Sequence, residues 1–248
     1  MRRHLEQSLH NLRSDYVDLY YLHQVNEDVP LEDIAGVMGK LIQEGIIRAW
    51  GLSQVSAEML RRADQVTPVS AVQNIYSMME RICEADIFPY CMEHGIGVVP
   101  FSPIASGFLS GKVPRDTKFE GDDVRKFVPQ LAEENLEANQ PILDVVCQYA
   151  TVKGATNAQI ALAWMLHKYP NVVPIPGSKN KERILKNLRA SEVKLTEDEF
   201  SSLEQALNAC TVYGHRGHVE TEQNPNFAFS KQKGSVKDFS HFSSQTLL

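Results

Sequence analysis

Two hydrophobic rhythms alternate along the chain. Leu5, Leu9 and Leu12 recur at i, i+4 and i+7, which predicts an amphipathic helix over residues 2–13. YVDLYYLH at 16–23 is aliphatic and aromatic, free of Gly and Pro, and reads as a buried strand ending on His23. Asp28 and Pro30 open a helix over 31–44 with Ile34, Met38, Leu41 and Ile42 as its apolar stripe, and Gly45 ends it. A strand at 46–52 follows, then a helix capped by Ser56. Strands at 69–73 and 97–101 flank a helix around 84–94 that stops at Gly95. Residues 102–140 are rich in Gly, Pro and charge without a sustained period, and are expected to form a functional loop. Helical pattern resumes at 141–153 and stops at Gly154. Thr156-x-x-Gln159 and Thr196-x-x-Glu199 are capping boxes opening two further helices, the second running to about Leu207. Between them lie a fifth strand at 172–175 and a helix that follows PGSKN to about Leu188.

Strands separated by helices require a parallel sheet with crossover connections. A doubly wound sheet would carry a glycine fingerprint after its first strand, and none is present. The expected fold is therefore α/β, of the (β/α)8 TIM-barrel type, represented by about five of the eight units. One domain is expected over 1–217, with 218–248 a flexible tail low in core-forming residues.

Composition narrows the function classes. The 248 residues are 43% hydrophobic and 23% charged, ordinary globular values, so disorder is not the default. A formal net charge of −6 argues against nucleic-acid binding. No apolar run approaches the ~20 residues of a membrane span, and the charged start lacks a signal-peptide core. Cys83, Cys91, Cys147 and Cys210 form no CxxC pair and read as reduced thiols, so a cytoplasmic location is expected. No metal site is expected.

Candidate chemistry gathers where strands end: His23, Ser53-Gln54, Gln73-Asn74, Phe101-Ser102 and Gly177-Ser178. In a barrel these share the C-terminal face, where sites are built. Any one alone suits a turn or a cap, Ser53 above all. Together they are groups suited to holding a carboxamide and orienting a carbonyl. Lys179, Lys181 and Arg183 lie at a helix start, where cations oppose the helix dipole unless an anion covers the free N–H groups. Phosphate binding and a plain basic surface turn both fit that pattern.

The runs DLYYLH, GLSQ, VQNIYS, VPFSPIASGFLSGK and PIPGSKNKERILKN, in that order over residues 2–216, resemble the aldo-keto reductase family. The resemblance implies a barrel that binds NADP(H) without a Rossmann motif and transfers hydride to a small aldehyde or ketone. In it His23 matches the histidine that orients the substrate carbonyl. Ser53 and Gln73 match the residues holding the nicotinamide carboxamide, with Gln54 where the family usually has Asn. Phe101 matches an aromatic, commonly Tyr, that stacks on the nicotinamide. Ser102, Ile104 and Ser106 match the pyrophosphate loop. Ser178, Asn180 and Arg183 match the 2′-phosphate and adenine site, where Lys179 adds charge. Asn187 matches an adenine contact, beside Lys186 in place of a usual Glu.

The family's catalytic set is Asp, Tyr, Lys and His, and the first three precede the histidine strand by one or more units. Only 22 residues precede His23 here, and they read as one helix. Tyr21 shares a face with His23 but lies ~6–7 Å deeper along the strand, as barrel filling. Tyr76 belongs to a loop with nothing setting it against His23. Three expectations follow: a reductase whose sequence is shortened at the N-terminus; a nucleotide- or partner-binding relative without catalysis, like the reductase-like β subunits of potassium channels; or a truncated remnant. Oligomeric state stays open.

Overall fold

The computed structural model describes residues 1–26, 28–114 and 116–216, so the tail expected at 218–248 lies outside the described residues. Four strands, β1 (Val17–Leu22), β2 (Ile47–Ser53), β3 (Ala71–Gln73) and β4 (Gly97–Val98), form one parallel sheet in sequential order. The register runs Val17 to Ile47 and Leu22 to Leu52, then Ser53 to Gln73, then Ala71 to Gly97.

Helices fall where the apolar stripes and caps require them: α1 (Arg2–Leu12), α2 (Leu31–Gln43), α3 (Ala57–Val66) and α4 (Ile87–His94). The long segment after β4 is mostly loop, with 3-10 turns at Ala105–Ser110, Val124–Phe127 and Pro129–Leu131, but the stretch expected as loop to residue 140 already contains α5 (Glu133–Ala138); α6 (Gln140–Lys153), α7 (Asn157–Lys168), α8 (Lys181–Leu188) and α9 (Glu197–Asn208) follow. Both capping boxes form. Thr156 Oγ1 accepts from Gln159 N at 3.2 Å while Gln159 Oε1 accepts from Thr156 N at 2.9 Å. Thr196 and Glu199 repeat the exchange at the head of α9. Each box satisfies two otherwise orphaned donors.

Two strand expectations are corrected. β1 is not buried: Asp18 is exposed and Leu19 is 37% exposed. A parallel strand is buried when neighbours flank both edges, and β1 pairs only with β2 among the described residues. The fifth strand shrinks to a single bridge, Val98 to Val172. It keeps a parallel partner, since Val173 N donates to Val98 O at 2.8 Å and Ile175 N to Pro100 O at 3.0 Å. Among the described residues it pairs on one edge alone, and Val173 and Ile175 are exposed.

The core lies between the sheet and α2, α3, α4 and α7, around Trp50, Tyr76, Phe88 and Trp164. Trp50 Nε1 donates to Pro68 O at 2.9 Å. Tyr76 stacks on Trp164 at 5.4 Å and tilts against Phe88 at 4.6 Å. Its hydroxyl donates to Glu84 Oε1 at 2.6 Å. Glu84 joins Arg81, Lys168 and Glu204 in a half-buried ion network tying the chain before α4 to α7 and α9.

Candidate functional site

Register fixes the level of the strand-end residues. Leu22 faces Leu52, so His23 follows at the level of Ser53, and Ser53 faces Gln73. His23 is exposed and makes no hydrogen bond among the described residues. Ser53 is 2% exposed and Gln73 half-buried. Gln54 turns sharply, with φ 55°, and its N–H donates to Gln73 O at 3.0 Å. Asn74 holds that turn from beneath: its Nδ2 donates to Val55 O at 2.8 Å and its Oδ1 accepts from Val55 N at 3.2 Å. Asn74 is thereby spent on structure, leaving Ser53, Gln54 and Gln73 as the polar group at this level.

Phe101 is half-buried and bridges to Ile75, with its N–H donating to Asn74 O at 3.2 Å. Beyond it the backbone folds back on itself: Ser102, Ala105, Ser106 and Gly107 all have positive φ. Gly107 N donates to Ile104 O at 2.9 Å, and the Ser102 and Ser106 hydroxyls lie 3.2 Å apart. Three non-glycine residues in the left-handed region cost energy, and such strain collects where a loop is shaped for a ligand.

The basic turn is a capped helix start. Ser178 Oγ accepts from Asn180 N at 3.1 Å, and Asn180 Oδ1 accepts from Arg183 N at 3.0 Å. Lys179, Lys181 and Arg183 are exposed, Asn187 is half-buried, and α8 buries no residue. The cap occupies the Arg183 N–H and leaves its side chain exposed.

Neither Tyr21 nor Tyr76 is hydrogen-bonded to His23 among the described residues. Burial raises the Tyr21 phenol above its ordinary range, partly offset by the Gln73 side chain, and its hydroxyl lacks a well-formed hydrogen bond. Tyr76 is fully buried and committed to Glu84, and burial followed by that carboxylate's charge raises it further. Among the described residues no group of His, Cys, Asp and Glu is arranged to hold a metal ion, and no helix is long and apolar enough to cross a membrane.

Sequence reading missed Glu80 and Arg216. Glu80 is 2% exposed, burial pushes its carboxyl up to about 7, and its Oε2 accepts from Arg216 N at 3.1 Å. Arg216 Nε donates to Ser102 Oγ at 3.1 Å. The one sequence signal was the charged pair Glu80-Arg81 within the apolar run before Cys83.

A model of the aldo/keto reductase family matches residues 1–208. Among solved structures, a thermostable aldo-keto reductase in complex with the inhibitor epalrestat is 30% identical, with a TM-score of 0.64 over 82% of this chain and 65% of that one. The glycerol dehydrogenase of Gluconobacter oxydans is 28% identical, with a TM-score of 0.78 over 91% of this chain and 66% of that one. An aldo/keto reductase from Klebsiella pneumoniae, solved with NADP and acetate, is 27% identical, with a TM-score of 0.65 over 88% of this chain and 69% of that one. The chain thus spans about two-thirds of the length of these relatives, and its sheet is a partial barrel.

Proposed function

The chain belongs to the aldo/keto reductase family, and on that premise we propose that these residues hold NADP(H) and orient a small aldehyde or ketone for reduction to the alcohol. The observation that carries this reading is the shared level of His23, Ser53 and Gln73, fixed by the register of three adjacent strands. When bound, the reduced nicotinamide supplies the hydride. Ser53, Gln54 and Gln73 offer a hydroxyl and two amides to a carboxamide, which needs both donors and acceptors. The half-buried Phe101 offers a ring face. The strained loop of residues 102–107 with its paired hydroxyls fits the diphosphate, and the cations before and within α8 fit the 2′-phosphate. His23 orients the carbonyl oxygen.

Among the described residues no acid is hydrogen-bonded to His23. A positioned acid contributes ~10²–10⁴ in rate, and neither tyrosine is set for it: Tyr76 is buried and committed to Glu84, and the half-buried Tyr21 makes no hydrogen bond to His23. That observation favours a second reading, nucleotide binding without turnover. The two are separated by one pair of measurements on the purified chain. Saturable NADPH fluorescence titration with no carbonyl-dependent NADPH oxidation supports binding alone. Robust oxidation with a nitrobenzaldehyde-type substrate shows that another acid serves. Failure to bind NADPH rejects both.

A further inference from the structure

We propose that Arg216 is a phosphate-binding residue: a folded strap at residues 212–216 carries its guanidinium to the loop after β4, where it contacts the diphosphate of a bound dinucleotide. The proposal rests on the reading of residues 102–107 as the diphosphate loop and adds a residue from a distant part of the chain.

The strap is built, not loose. Asn139, fully buried, donates through Nδ2 to Tyr213 O at 2.9 Å and accepts from Tyr213 N at 2.8 Å. Gly214 then passes against the backbone of Pro129 and Gln130 with φ +74°, so close that a Cβ there would lie 2.7 Å from the Pro129 carbonyl carbon. His215 O accepts from Gln130 N at 3.2 Å. Finally the Arg216 N–H donates to the buried Glu80 carboxylate, which Gln130 Nε2 also approaches at 3.4 Å. Glu80 therefore anchors the backbone of residue 216, while the side chain is directed to Ser102.

At Ser102 the guanidinium uses one donor. Arginine has five N–H donors, and Nε alone is bonded within the protein among the described residues. Arg216 is half-buried and makes no ion pair there, and burial pulls its pKa below the ordinary range, partly offset by the charge of Glu80. None of the other Arg216 nitrogens is buried without a partner among the described residues, so those donors are open to water or to an incoming anion. The planar fork suits phosphate oxygens, and the loop beside it presents two hydroxyls 3.2 Å apart.

The test uses the full chain, with NADPH binding followed by fluorescence and the binding of 2′-AMP, which lacks a diphosphate, followed by calorimetry. Arg216→Gln should weaken NADPH roughly tenfold or more while leaving the 2′-AMP affinity and thermal unfolding unchanged, and Arg216→Lys should recover part of the loss. Equal NADPH affinity in wild type and Arg216→Gln overturns the proposal. So does a parallel loss of NADPH and 2′-AMP, which would make the strap a general support. If Arg216→Gln unfolds, Arg216→Lys decides on the same comparison. Absence of NADPH binding by the wild-type chain rejects the nucleotide reading itself, and this proposal with it.

Discussion

The ring of Tyr21 lies directly against the backbone of Gly51, its partner in the β1–β2 register: a Cβ on Gly51 would sit 2.4 Å from the Tyr21 ring. Gly51→Ala should therefore destabilise the chain by about 1–3 kcal/mol through overpacking, read from urea unfolding. In a Tyr21→Ala background the cost should shrink without vanishing, because the Ala71 carbonyl would still be 2.8 Å from the new methyl. Additive costs would show that the ring is not the obstacle.

The network of Arg81, Glu84, Lys168 and Glu204 should outweigh any surface pair. Lys168 sits between Glu84 at 2.8 Å and Glu204 at 2.7 Å. Lys168→Met leaves two half-buried carboxylates sharing Arg81 and should cost about 3–5 kcal/mol. Arg2→Met, which frees the exposed Glu44, should leave the unfolding midpoint nearly unchanged, because solvent screens that pair. Comparable unfolding midpoints for the two variants would contradict this ordering.

Glu80 gives a pH dependence of definite sign. Burial lifts its carboxyl from the unfolded value of 4.5 to about 7, opposed by the Arg216 N–H and charge. Between those values the folded chain binds more protons than the unfolded one, so this group's contribution to stability falls as pH rises from about 4.5 to about 7 and then levels off. Arg216 is the charged group facing it, and Gln130 is the neutral one. Glu80→Gln should flatten that part of the melting-temperature profile. An unchanged slope in the variant would assign the effect elsewhere.

Arg183 should set the choice between cofactors. Its backbone N–H is used by the Asn180 cap and its side chain is exposed at the start of α8. Arg183→Ala should weaken NADPH binding roughly tenfold and NADH binding far less, measured by paired fluorescence titrations. Equal losses for both would remove the 2′-phosphate assignment.

Local signals were the legible ones. Thr156–Gln159 and Thr196–Glu199 form as boxes because capping depends on residues three apart. The level shared by His23, Ser53 and Gln73 was readable because strand ends are marked by a change of composition. The exposure of Leu19 was not, since edge status depends on what pairs with a strand and not on its own residues. Asn74 illustrates the same gap: its type suits a ligand contact, and only the fold reveals that both its polar atoms are spent on Val55. The joining of Ser102 to Arg216 spans 114 residues and leaves no periodic trace.

The flank of β1 that has no strand partner among the described residues sets two clocks within one strand. In a parallel strand successive peptide groups point to opposite flanks. Val17 N donates to Ile46 O, so the amides of Val17, Leu19 and Tyr21 look toward β2 and those of Asp18, Tyr20 and Leu22 look away. Deuterium should enter the second set in a fraction of the time it takes to enter the first, an odd–even alternation at single-residue spacing.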